Sequence, residues 1–147
     1  MKRILFCTDG EEHTAKAEEM AFSLARKYNA VLAGLYVVDS FLKKFTNEIY
    51  AVNREECRLH LDRQLLGEGE RALGALAERG RAEEVLFEAK IRYGSPEEEI
   101  LKEIDEGAYD ILIMGARLLK GWRQRMESVN LPKKMFSQAP IPVLFVR

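Results

Sequence analysis

The chain reads as a doubly wound α/β domain, a five-stranded parallel sheet with helices on both faces. Three observations predict this. Short apolar runs alternate along the chain with stretches whose apolar residues recur at helical spacing. Most of the runs are nearly continuous rather than alternating, as strands covered on both faces are. The first closes on Thr8-Asp9-Gly10 and the second on Asp39-Ser40, polar turn chemistry that lets a strand feed a helix. Strand-helix-strand units of this kind cross over right-handed, and their ligands collect beyond the carboxyl ends of the strands, where the strand order reverses. That places any ligand at the ends of strands 1 and 4.

Taken in order, Ile4 to Cys7 forms strand 1. Ala17, Met20, Ala21, Leu24, Ala25 and Tyr28 make one stripe on a helix that starts near Thr14, whose hydroxyl is placed to accept from the free amides of the first turn. Asn29 ends it, since Asn tolerates the left-handed conformation. Val31 to Val38 is strand 2. The stretch 40–53 is less regular and reads either as a lid or as an interaction loop. A long helix opens near Asn53 and runs to Gly80 through Leu61, Leu65, Leu73 and Leu76. Gly67, Gly69 and Gly74 interrupt it at roughly 1 kcal/mol each relative to Ala, which predicts bending or fraying there.

Val85 to Tyr93 alternates apolar with polar residues, predicting a strand with a wetter face near a sheet edge. In Gly94-Ser95-Pro96-Glu97-Glu98, Ser95 reads as N-cap, Pro96 as the first helical residue and Glu98 as the capping-box partner. Ile100, Leu101, Ile104 and Ala108 supply that helix's buried face. Asp110 to Gly115 is strand 4. A last helix near Leu131 to Gln138 precedes strand 5, Pro142 to Val146.

A chain of 147 residues with 47% apolar and 32% charged residues is one ordinary globular domain spanning 1–147, with no repeat and no linker. Lys plus Arg number 23 against 24 Asp plus Glu, a net charge of −1, which gives no general attraction to nucleic acid or anionic lipid. Cys7 and Cys57 form no CxxC or Cys/His cluster, so a disulfide framework or zinc site is not expected. The N-terminal apolar run stops at Thr8, too soon for a secretory core, and no stretch is long enough to insert in a membrane. The expected location is the cytoplasm.

Five segments in order resemble the universal stress protein family. They are Ile4-Leu5-Phe6-Cys7-Thr8-Asp9-Gly10, Leu35-Tyr36-Val37-Val38-Asp39, Gly94-Ser95-Pro96 followed by Ile100, Tyr109 through Arg117, and Ala139 through Arg147. The resemblance covers essentially the whole chain. It implies a Rossmann-like sheet of strand order 3-2-1-4-5 and a homodimer paired through the last strand, here Val143, Leu144, Phe145 and Val146. It also implies a pocket for ATP or another adenine nucleotide, with Mg²⁺ as a companion, formed by Thr8, Asp9, Gly10, Val37, Val38, Gly115, Arg117, Val129 and Asn130.

The family has an ATP-binding branch and one without ATP, separated by a motif Gly-x2-Gly-x9-Gly-[Ser/Thr] after strand 4. Gly115 matches its first glycine, but Leu118 stands at the second and Val129-Asn130 at the Gly-Ser pair, with one extra residue between. Gly121 could serve as a displaced second glycine. Losing these glycines removes room for backbone amides to approach phosphates. Asn130 could still cap the last helix and turn its amides toward an anion.

Plainer readings stand beside these. Asp9-Gly10 also suits a simple turn, Val37 and Val38 suit a buried strand, and Gly115 suits a turn glycine. Arg117, Lys120, Arg123 and Arg125 either suit phosphate or form a solvated loop. Leu118, Leu119, Trp122 and Met126 form an apolar stripe that would cover the pocket, pack on the core or meet a protein partner. His13 and His60 read as surface helix residues, with no carboxylate placed beside His13. Cys7 reads as a buried hydrophobe and Cys57 as more exposed. A Walker loop and a GxSxG elbow are absent. Paired acids of a receiver and the hydroxyl-rich loop of a flavin binder are also missing. Two functions remain: a nucleotide-binding stress or signalling protein that is not an enzyme beyond slow hydrolysis, or an interaction module without nucleotide.

Overall fold

Apolar residues in strands 1, 2 and 4 alternate between two cores, which is why those strands read as unbroken apolar runs. The computed structural model describes residues 1–39, 54–116 and 130–147. Its elements are β1 (Arg3–Cys7), a 3₁₀ turn (Glu12–Thr14), α1 (Ala15–Tyr28), β2 (Val31–Asp39), α2 (Arg54–Ala82), β3 (Phe87–Gly94), α3 (Pro96–Gly107), β4 (Ile111–Gly115), α4 (Asn130–Gln138) and β5 (Val143–Val146). The five strands are parallel in the order β3-β2-β1-β4-β5, as the sequence led us to expect. β1 is central, pairing Cys7 with Leu35 of β2 and with Met114 of β4.

Ile4, Phe6, Leu32, Tyr36 and Val38 turn to one face, where they meet Ala17, Ala21, Phe22 and Ala25 of α1 and Leu73 and Leu76 of α2. Leu5, Cys7, Ala33, Leu35, Leu112 and Met114 turn to the other, against Ile100 and Ile104 of α3 and Met135 of α4. Period-two alternation through a sheet covered on both sides thus makes two cores from one set of strands. β3 lies at the edge with most of its side chains half-buried, matching its alternating sequence.

Helix ends depart from the sequence reading in three places. Thr14 precedes α1 in helical conformation without capping it; its hydroxyl instead donates to Glu11 O at 2.8 Å. Ser95 is the N-cap of α3 and Pro96 its first residue, but neither Ser95 nor Glu98 makes a capping bond. Glu99, one residue on, turns inward to Arg92 Nε at 2.9 Å. Ala108 is not on the buried face of α3: it is its C-cap, exposed, at φ 49°. Asn29 does close α1 in the left-handed conformation, at φ 51°.

α2 runs unbroken from Arg54 to Ala82, through Gly67, Gly69 and Gly74 alike. Gly69 has a packing role. A Cβ there would lie 2.6 Å from Cδ1 of Tyr36, so the absence of a side chain lets the Tyr36 ring seat against the helix.

Ionic networks tie helices to the sheet and to each other. Arg92 of β3 donates to Glu99, Glu103 and Glu106 of α3, each at 2.9 Å, and Tyr109 Oη donates to the buried Glu103 at 2.7 Å. These bonds raise the pKa of the Arg92 guanidinium and lower those of Glu99 and Glu106. Arg79 of α2 reaches Glu18 and Glu19 of α1 and lies 4.4 Å over the Phe22 ring. Asp110 accepts from the amides of Lys2 and Arg3, which anchors the start of β1 and lowers the Asp110 pKa, the Arg3 bond contributing most.

Candidate functional site

β1 delivers Thr8, Asp9 and Gly10 to the point where the strand order reverses, between β2 and β4. The Thr8 amide donates to Leu35 O at 3.0 Å, which holds the chain in register one residue past the strand. Beyond it the loop is knotted by short-range bonds. The Gly10 amide donates to Thr8 Oγ1 at 3.0 Å, and Thr8 Oγ1 lies 3.3 Å from Thr14 Oγ1. Thr14 spends its only hydroxyl proton on Glu11 O, so Thr8 is the donor of that pair. Gly10 sits at φ 78°, a conformation a side chain rarely adopts.

Asp9 is committed on both oxygens. Oδ1 accepts from the Glu11 amide at 2.9 Å, an Asx turn, and Oδ2 lies 3.1 Å from His13 Nε2. The turn reading of Asp9-Gly10 therefore holds, and the carboxylate, 44% exposed, still faces the crevice. His13 corrects the sequence reading twice: its side chain is only 9% exposed, and a carboxylate does stand beside it. It sits in the 3₁₀ turn that follows Asp9-Gly10, and its ring lies beside the Asp9 carboxylate four residues earlier. A Cβ on Gly115 would lie 3.6 Å from His13 O and 3.7 Å from its Cδ2, so the loop after β1 packs over the end of β4.

The structure thus brings Thr8, Asp9, Gly10 and Gly115 together. Val37 and Val38 end β2 one strand away and point to opposite faces. Val38 is 1% exposed within the α1–α2 core, which leaves its backbone as the part near the crevice, whereas Val37 is half-buried on the α3–α4 side. Asn130 is the first residue of α4, not a flanking cap position. Its side chain, Arg117, Val129, the segment 40–53, the basic segment with Trp122, and the side chains of Cys57 and His60 lie outside the described residues.

A cavity of about 370 Å³ opens between the β1 loop and α2, lined by Asp9, Gly10, Glu11, Glu68, Arg71 and Ala72. Three carboxylates against one guanidinium make it acidic. Tyr36 packs against Gly10 of this lining. The ring is held between Gly69, whose Cβ would touch Cδ1 and Cε1, and Gly10, whose Cβ would lie 3.9 Å from Cε2. Burial pushes the phenol pKa up to about 12, and the charges of Glu68, Asp9 and Glu11 add to it.

Sequence reasoning missed Tyr36, Glu68, Arg71 and the Asp9–His13 pair. Tyr36 carried a signal, a polar-tipped aromatic within a run that should be buried on both faces. The others depend on α2 crossing above the β1 loop, which no local pattern encodes. Among the described residues no group of three or more His, Cys, Asp or Glu is arranged to hold a metal ion. No described helix is long and apolar enough to cross a membrane.

Fold and site together define an open, doubly wound α/β domain with a polar crevice at its switch point. The chain belongs to the universal stress protein family, whose model matches residues 1–147. It is 27% identical over 150 residues to universal stress protein YxiE of Bacillus subtilis, covering 99% of this chain and 98% of that one. Among solved structures it is similar to universal stress protein UspA from Lactobacillus plantarum, with TM-score 0.74, 22% identity, and 99% and 97% of the two chains covered. It is also similar to an Arabidopsis thaliana family member with AMP bound, with TM-score 0.63, 16% identity, and 99% and 91% covered. At such identities the structural likenesses establish the fold.

Proposed function

We propose that this protein binds an adenine nucleotide in the crevice at the ends of β1 and β4 and serves as a cytoplasmic stress-response or signalling protein. The observation that carries the reading is the convergence of Asp9, Gly10 and Gly115 beside a cavity at the switch point of the sheet, in a family one of whose members holds AMP. The mononucleotide is favoured over ATP, because the glycines that would bring amides to a triphosphate are missing after Gly115. Mg²⁺ would accompany a triphosphate on the nucleotide's own oxygens. The role is binding rather than catalysis: His13, the histidine at the crevice among the described residues, is nine-tenths buried and paired with Asp9. A homodimer through β5 goes with this reading, since Val143 to Val146 ends the sheet and has one strand edge unpaired among the described residues.

One observation favours the alternative of an interaction module without nucleotide. Both Asp9 oxygens already have protein partners, and His13 packs where β4 would open to the crevice. The two readings separate on freshly purified protein. Denaturation and chromatography of the supernatant, followed by calorimetric titration of AMP and ATP, should find an adenine nucleotide or micromolar AMP binding. No nucleotide and no heat at millimolar ligand would select the interaction module. Sedimentation equilibrium of the same sample should give twice the chain mass; a monomer would refute pairing through β5.

A further inference from the structure

The helices divide the sheet between them. α2 and α3 pack over β2 and β3, while α1 on one face and α4 on the other pack on β5. Consecutive side chains on a helix point about 100° apart, so the neighbours of a buried residue mark opposite flanks. On α1, Ala21 is fully buried; Phe22 turns toward α2, where Arg79 lies 4.4 Å over its ring, so Met20 turns away from α2. On α4, Met135 is fully buried; Lys134 turns toward α3 and pairs with Glu97, so Phe136 turns away from α3. Both outer flanks therefore lie over the β5 edge of the sheet. There Met20 is 39% and Phe136 83% exposed, and the half-buried Leu24 stands one turn on from Met20. All four side chains of β5 are half-buried, Leu144 and Val146 on the α1 side and Val143 and Phe145 on the α4 side. Helix, strand and helix thus end in apolar side chains along one rim.

We infer that this whole rim, rather than the strand edge alone, is the surface on which a second copy of the chain docks, with Met20 and Phe136 as anchors on the two faces. The inference rests on the β5 homodimer reading and adds to it the helix flanks that hold the pair together. Area argues for the flanks. β5 has four residues and spans about 13 Å, so its backbone edge covers little of the roughly 1,200–2,000 Å² that a stable pair buries. Symmetry argues for the occupant. Two copies of one edge strand that pair antiparallel are related by a two-fold axis perpendicular to the sheet, which keeps each face on its own side. α1 then meets α1 and α4 meets α4, apolar flank on apolar flank. A second copy matches the rim layer for layer, which a single peptide strand or helix does not.

Sedimentation equilibrium on the full chain reads the dissociation constant of the dimer. Phe136 is exposed in the single chain, so Phe136→Ala leaves the fold intact, and circular dichroism verifies this. Each dimer loses two phenyl rings, each worth about tenfold or more when fully buried, so the dissociation constant should rise at least about a hundredfold. Met20→Ala, at a side chain already partly covered, should raise it roughly tenfold. Leu86→Ala, at a 72% exposed position beside the opposite edge strand β3, should leave it unchanged. A dimer unmoved by Phe136→Ala or by Met20→Ala, or weakened as much by Leu86→Ala, overturns the three-layer rim and leaves β5 pairing standing. A monomeric wild type overturns both and assigns the rim to a partner of another kind.

Discussion

Replacing Asp9 separates the two duties of one carboxylate. Oδ1 closes the Asx turn with the Glu11 amide, and a bond of this kind contributes roughly 0.5–1.5 kcal/mol net. Oδ2 faces His13, but Asp9 is 44% exposed, and solvent screening holds such a pair below about 1 kcal/mol. Asp9→Ala should therefore lower the unfolding free energy by about 1–1.5 kcal/mol. In a domain of this size that is a fall in Tm of roughly 3–5 °C. Asp9→Asn keeps an oxygen for the Glu11 amide and should lose about half as much. Urea titrations give both values, with an unchanged m confirming that only stability has moved. On the binding side, Asp9→Ala should weaken AMP more than about tenfold, a loss beyond what the stability change causes. An Asp9→Ala protein as stable as the parent would refute the turn geometry. An unchanged AMP affinity would remove Asp9 from the site.

Three further outcomes follow from the fold. Ala108 holds a left-handed conformation that costs a residue with a Cβ roughly 1 kcal/mol, so Ala108→Gly should stabilise the protein by about 0.5–1 kcal/mol in urea melts. The carboxylates of Glu99, Glu106 and Asp110 are all lowered below their ordinary values of 4.5, 4.5 and 3.8. The unfolded chain therefore binds more protons than the folded one near those values. Their contribution is complete above about pH 5 and is lost as pH falls through the lowered folded values. Urea melts between pH 3 and 6 should show this slope, and Arg92→Met, which removes the partner of Glu99 and Glu106, should flatten it. Finally, Cys7 is buried, and burial with the nearby Glu103 charge raises its thiol pKa. In a Cys57→Ser background it should react with a disulfide reagent only at the rate of unfolding, and a fast native reaction would contradict its placement.

How far this was readable in the chain depends on the range of the interaction concerned. β1, β2 and β4 are apolar on consecutive residues because both sheet faces are covered, and that leaves a direct trace in sequence. Asn29 and Pro96 likewise act within a turn of where they stand. The misreadings are places where a local signal was outcompeted. Thr14 has the residue type of a cap, but Glu11 O and Thr8 engage its hydroxyl first. Glu98 sits at the capping-box position, while Arg92 across the sheet edge draws Glu99 inward instead. Ala108 fits the apolar spacing of α3, but the helix ends at Gly107 and the chain turns left-handed there so that Tyr109 can reach Glu103.

The site shows the same division. Thr8, Asp9, Gly10 and Gly115 were legible because each ends a strand, and strand ends converge in any doubly wound sheet. Tyr36 and Glu68 were not. The glycine that read as a flaw in α2, Gly69, is the contact that seats Tyr36, and it joins two residues 33 positions apart. His13 reads as an exposed helix residue until the 3₁₀ turn folds it back over Asp9 and against Gly115.

The central claim is that an adenine nucleotide occupies the crevice bounded by the β1 loop, α2 and β4. Titrating isotopically labelled protein with AMP while following backbone amide resonances tests it most directly. The account predicts saturable shifts centred on Asp9, Gly10, Gly69 and Gly115, with the Arg92–Glu103 face of α3 unmoved. No shifts at millimolar AMP, or shifts centred on α3 and β5, would contradict it.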